Sequence, residues 1–236
     1  MARPRYPTSE GALPPPLPPE TRTVGQLVAE SIRFYGAHFW RSVLLGLPLA
    51  ADDQIFTGST RVVALVATFA GAILLTIAYT AAAALVAPER PGRREVATAV
   101  AGGFLAYLPF AVLVLAFVLP GVAWLALVGL VVPVALIEGL PLRAAFRRAI
   151  ELARADYVHA LGSLATLAIV FFLTRFVLFF LLRGAGDAAD RVAIFLADLV
   201  ISPVVFLGAA LLYYDQAARS ALPRARRSVR SSAHER

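Results

Sequence analysis

The chain has 236 residues, 59% of them hydrophobic and 16% charged, against the roughly 45–50% apolar share of soluble domains, and its mean hydropathy is +0.75. That composition excludes a water-soluble core, and at roughly 20 residues per spanning helix the length holds about six spans with no room for an appended soluble catalytic domain. The net charge is +7, with 22 basic residues and no cysteine, so disulfides, thiolate metal sites and cysteine nucleophiles are excluded together. Every basic residue is arginine, which points to a GC-rich bacterial genome.

Residues 1–22 hold seven prolines and no continuous apolar stretch, so they form a disordered, Pro-rich tail and lack the apolar region of a cleaved signal peptide. Its PxxP spacings, Pro4 with Pro7 and Pro15 with Pro18, are compatible with a proline-reading partner, although a passive tail is the simpler reading. Thr23 with Gln26 reads as a capping box. Val24, Leu27, Val28, Ser31, Ile32 and Tyr35 then follow helical spacing, an amphipathic helix at the membrane interface. Phe34, Tyr35, His38, Phe39 and Trp40 crowd its end, as aromatics do at headgroup level.

The first span covers about Phe39 to Phe56, with Arg41 at one end, Asp52 and Asp53 near the other and Pro48 interrupting it. Val62 to Pro88 is an uncharged second span, closed by a short polar turn from Glu89 to Glu95. Between Glu95 and Glu138 lie 42 uncharged residues, too long for one crossing, and Pro120–Gly121 is the expected point of reversal into a third and fourth span. In Leu142 to Tyr157 the residues Arg143, Arg147, Arg148, Glu151 and Arg154 alternate with apolar positions, a second interfacial helix. Val158 to Leu182 and Val192 to Tyr214 are the fifth and sixth spans. Ala37-His38-Phe39 corresponds to Ala155-Asp156-Tyr157 in a faint internal echo, residues 24–88 against 142–214.

With six spans and both termini cytoplasmic, 18 arginines fall inside and three outside, with Arg175 inside a span; if the first segment did not cross, the split would be 13 against eight. Cytoplasmic flanks carry the arginine excess, so the first segment is expected to cross.

The stretches VVPVALIEGLPLRAAFRRAIELARADYVHALG and ISPVVFLGAALLYYDQAAR, with the opening TVGQLVAESIRFYGAHFWRSVLL, resemble the membrane domain of the glycerophosphoryl diester phosphodiesterase family and related bacterial six-helix proteins. The resemblance covers roughly residues 22–220 and is most specific around Glu138-Gly139 and Tyr213-Tyr214-Asp215. It implies an all-helical membrane module. The catalytic barrel of bifunctional members has no counterpart here, so its activity does not carry over.

Charged groups inside spans cost several kcal/mol unless paired or hydrated. Arg175 and Asp198 lie about 12 and 10 Å from the external turn at ~1.5 Å per residue, so on adjacent antiparallel helices they can meet. One reading is an ion pair fixing helix register, the other a polar element in a substrate or proton pathway. Glu138 reads as a cap or a partner for a nearby arginine, and Asp215 and Trp40 as interface markers. Asp52 and Asp53 read as a solvated external loop. His38, His159 and His234 are scattered, and no metal or catalytic motif is visible. Arg224, Arg226, Arg227 and Arg230 form a basic cluster suited to anionic lipid.

The sequence thus describes an all-α, polytopic membrane helix bundle of the bacterial plasma membrane, with a tail (1–22), a six-helix domain (23–220) and a basic cytoplasmic tail (221–236). Its expected role is that of a non-enzymatic module organising lipids or partner proteins; the alternative is a small permease using Arg175 and Asp198. No cofactor, metal or catalytic residue is assigned. The partners implied are the bilayer, anionic headgroups, and a second copy or another membrane protein; nucleic acid is not among them. Single cysteines at Thr57 and Ala188 are expected to label from outside only, and those at Gly92 and Ala221 from inside only; labelling of Thr57 from the inside would remove the first span.

Overall fold

The structure is a computed structural model that describes the backbone of residues 18–56, 60–182 and 186–234, the side chains of 56, 61, 62, 64, 65, 115, 116, 182, 187, 190 and 223–234 lying outside the description. Among the described residues every regular element is a helix. Five stretches are long and apolar enough to cross a membrane: Val66–Val86, Arg93–Val114, Val118–Ile137, Tyr157–Leu181 and Arg191–Leu222. The chain is therefore a multi-pass helical membrane protein, as its composition requires, since only closed backbone hydrogen bonding is tolerated in lipid.

After a 3-10 turn at Pro19–Thr21, α1 spans Val24–Ala37. Its capping box forms as expected: Thr23 Oγ1 accepts from the Gln26 amide at 3.4 Å, and the Gln26 side chain accepts from the Thr23 amide at 2.7 Å. The first-span segment is not one helix. It comprises α2 (Phe39–Ser42), a 3-10 turn (Val43–Gly46) and α3 (Leu47–Phe56). The chain continues through α4 (Arg61–Val86), α5 (Arg93–Ala116), α6 (Val118–Val128) and α7 (Val131–Ile137). It closes with α8 (Leu142–Ala155), α9 (Tyr157–Leu182) and α10 (Asp187–His234).

Proline explains both interrupted segments. Pro48 has no N–H for the Leu44 carbonyl and Pro133 has none for Gly129, and regular helix fails in the turn just before each. The reversal after α5 lies at Phe117, which is extended (φ −157°, ψ 141°), and not at Pro120–Gly121. Pro120 instead occupies the first turn of α6, where its missing N–H has no intrahelical acceptor to lose. The last span also runs on, because α10 continues without a break to His234 and takes the basic tail into the helix.

Residues 22–54 run antiparallel along α10. Arg22 pairs with Asp215, Ser31 faces Gly208 and Gly46 faces the Leu199 backbone, and the Gln54 amide donates to the Arg191 carbonyl at 3.2 Å. The segment from Phe39 to Phe56 thus lies beside the Arg191–Leu199 part of α10's apolar stretch, and its break and its charges keep it out of the five stretches defined by length and hydropathy. The contact with Leu199 demands glycine at 46, since a Cβ there would fall on the Leu199 carbonyl oxygen.

The internal echo has a structural counterpart. Both α1 and α8 are 14 residues long. Each ends on one non-helical residue, His38 (φ −123°, ψ 32°) or Asp156 (φ −152°, ψ 79°), and a new helix follows at once. The buried residues Leu27, Ser31 and Tyr35 occupy the same helical positions as Ala145, Ala149 and Ala153. Their neighbours differ: α1 packs on α9 and α10, whereas α8 packs on α5, α6, α7 and α10.

Gly46→Ala is expected to cost about 1–3 kcal/mol by forcing α10 away, read as a lower midpoint of unfolding in detergent. Gly25→Ala, where a Cβ meets nothing within 4 Å, is expected to leave that midpoint unchanged or raise it slightly.

Candidate functional site

Two polar clusters are buried within the bundle, and α10 contributes to both. The first lies inside the spans. Arg175 on α9 reaches Asp198 on α10, Nη1 to Oδ1 at 3.3 Å, as the depth argument anticipates. The guanidinium also holds Asp53 on α3 through Nη2, so the predicted pair is a three-residue cluster. Asp198 is 0% exposed, and Ser202 donates to its backbone carbonyl at 2.6 Å. The expectation of a solvated loop for Asp52 and Asp53 is corrected: both lie in α3, Asp53 turns to Arg175, and the Asp52 carboxyl packs against the α-carbon side of Gly71 on α4. α3 packs on α4 and α10, and its Asp53 carboxyl is received by Arg175 of α9.

The second cluster lies at the Asp215 end of α10. Asp215, read from the sequence as an interface marker, is 0% exposed and accepts from Arg22 Nη1 at 2.9 Å, while its Oδ2 lies 3.3 Å from His159 Nε2. Arg219, one turn further on, bonds Asp156 and donates to the Arg22 carbonyl at 2.7 Å. Gln216 Nε2 donates to the Asp156 carbonyl at 3.0 Å. The Asp156 side chain in turn accepts from the His159 amide at 3.0 Å, capping the start of α9. The boundary placed at residue 22 is therefore corrected: Arg22 is buried and belongs to the bundle. Composition alone assigned it to the Pro-rich tail, and the pairing of a buried arginine with a carboxylate 193 residues away leaves no local signal.

Glu138 is resolved between its two expected roles. It pairs with Arg148 Nε at 3.1 and 3.2 Å and accepts from the Tyr213 hydroxyl at 3.0 Å. One turn of α8 and one of α10 are thereby tied to the end of α7. Beside it, a cleft of about 360 Å³ opens between Ala87–Pro91, Glu95 and Leu136–Gly139. Trp40 is 81% exposed with its ring edge-on to Phe39, the disposition of an indole facing lipid or headgroups. The side chains of Arg224, Arg226, Arg227 and Arg230 lie outside the described residues. Among the described residues no group of three His, Cys, Asp or Glu side chains is placed to hold a metal ion.

Comparison with known proteins adds no relative: no family model matches the chain, and neither does any curated protein or solved structure.

Removing one member of a buried ion pair costs about 3–5 kcal/mol. Arg22→Ala is accordingly expected to lower stability by that amount, read in a denaturing-detergent titration of the purified protein. The exposed pair Arg147–Glu151, at 3.8 Å with side chains 80% and 52% accessible, serves as the comparison, and Arg147→Ala is expected to cost well under about 1 kcal/mol.

Proposed function

We propose that the chain is a non-enzymatic module of the bacterial plasma membrane, with both termini cytoplasmic, that gathers anionic lipid headgroups on a basic rim. The observation that carries this reading is the two-faced packing of α8. Ala145, Ala149, Leu152 and Ala153 are buried against the bundle, while Arg143, Arg147, Glu151 and Arg154 are exposed. An exposed row of guanidinium groups is stable only in water or among headgroups, so the outer face of α8 marks the membrane surface. Arg90, Arg93 and Arg94, exposed in the turn between α4 and α5 and at the start of α5, add to the same positive field. The arginine excess favours the cytoplasmic side for this rim, and the resemblance to phosphodiesterase-family membrane domains supports a module of this kind. Small faces of glycine and alanine leave room for a second copy or another membrane protein.

A second reading, a small permease, is favoured by two observations: segments interrupted before Pro48 and Pro133, and a charged cluster at Arg175 and Asp198, are features that transport sites share.

Each arginine near an anionic surface contributes about 1 kcal/mol. Replacing Arg143, Arg147 and Arg154 together by Gln is thus expected to weaken capture of phosphatidylglycerol by about 3 kcal/mol, roughly a hundredfold. The assay is native mass spectrometry of the full chain released from nanodiscs of mixed phosphatidylglycerol and phosphatidylcholine. Equal retention of phosphatidylglycerol by the wild type and the triple variant would refute the lipid-gathering role.

A further inference from the structure

Among the described residues, the cluster around Arg175 brings two carboxyl groups to one guanidinium. Asp53 and Asp198 both pair with Arg175, one on each terminal nitrogen of the same guanidinium, which brings their carboxyls together. A contact between two carboxylates joins two acceptors, and it becomes a bond only when one of them holds a proton. Asp198 supplies the independent sign of this. Its side chain is 0% exposed, Oδ1 takes the Arg175 bond, and Oδ2 is buried with no hydrogen-bond donor among the described residues.

Among the described residues the charged groups around the cluster are mostly acidic. From α3 the cluster receives Asp52 beside Asp53, from α9 Arg175, and from α10 Asp198. α4, packed on α3, is uncharged from Val66 to Val86 and offers Gly71 to the Asp52 carboxyl. Asp52 Oδ1 likewise has no hydrogen-bond donor among the described residues. With Asp53 and Asp198 both ionised, the trio with Arg175 carries a net negative charge inside the apolar span, which is costly; with one proton between them it is neutral.

We propose that Asp53 and Asp198 form a proton-binding site, sharing one exchangeable proton under the Arg175 guanidinium. Loading places the proton on a carboxyl oxygen of the pair and completes the Asp53–Asp198 hydrogen bond. Unloading returns it to water at the Arg191 end, where Gln54, the residue after Asp53, already contacts the Arg191 carbonyl. Arg175 is a positioning residue that holds both carboxyls together. This site is independent of the lipid rim, because none of its residues belongs to α8 or to the turn between α4 and α5.

The test is infrared difference spectroscopy of the full chain in nanodiscs, labelled with carbon-13 aspartate and titrated through neutral pH. The expected result is an aspartate-specific protonated-carboxyl band near neutral pH that shifts in heavy water and is lost in both Asp53→Asn and Asp198→Asn. Asparagine has the shape of the protonated acid, so both variants are expected to retain the fold. Arg175→Gln is expected to strengthen the band, since two carboxyls without a guanidinium retain protons more firmly. Absence of any such band in the wild type overturns the proposal without recourse to a variant. A band that survives in Asp53→Asn and Asp198→Asn but is lost in Asp52→Asn also overturns it, by moving the proton to Asp52.

Discussion

Two carboxylates on one helix, Asp198 and Asp215, are fully removed from water, and the way each is neutralised organises the rest of the bundle. They sit 17 residues apart on α10, roughly 25 Å at ~1.5 Å per residue, so they pin the helix near both ends of its apolar stretch. Asp198 draws in α9 through Arg175, and Asp53 of α3 joins them. Asp215 draws in the N-terminal arm through Arg22 and the start of α9 through His159. An isolated charge at either position would be far too costly to bury, and hydrophobic association between helices is weak where lipid is as apolar as leucine. Specific pairing therefore decides which helices become neighbours.

The same constraint explains why two interrupted segments are tolerated. Before Pro48 and Pro133 the helix gives up regular hydrogen bonds, and backbone freed in this way is stable in a membrane only where protein covers it. The first interruption is covered by α10 at the Gly46–Leu199 contact, and the second is enclosed by buried Val131, Val132 and Val134 at the start of α7. Near it, Tyr79 donates to the Ala209 carbonyl at 3.3 Å and its ring meets Tyr107 edge-on at 6.0 Å, filling the space between α4, α5 and α10. Aromatic side chains with one polar atom suit this position because they pack as hydrophobes and still satisfy a carbonyl.

Hydropathy and helical period are local properties of a sequence, and what they encode was legible: the long apolar stretches, the two amphipathic helices and the Thr23–Gln26 cap. The meeting of Arg175 with Asp198 was also legible, because two helices joined by a short turn share a depth scale. Asp53 was not, since the interruption at Pro48 hides how far the first segment travels, and two adjacent acids near a span end look like a loop. Arg22 was missed for a similar reason: seven neighbouring prolines dominate its local composition, while its partner lies at the far end of the chain. The turn at Phe117 was misplaced by three residues because proline and glycine mark both the inside and the outside of a helix start.

The antiparallel alignment of residues 22–54 with α10 sets an order of events during synthesis. The first segment leaves the ribosome with Asp52, Asp53 and Arg41, and its partners Arg175, Asp198 and Asp215 follow only after the intervening helices. At roughly 5–20 residues per second that interval is on the order of 10 s. Throughout it the segment has no α10 to lie against and no guanidinium for its acids, so it is a poor passenger for an apolar bilayer. Its final docking is consequently a late act of maturation, dictated by the arrival of α10. The packing of the first segment is completed by a helix made more than a hundred residues later.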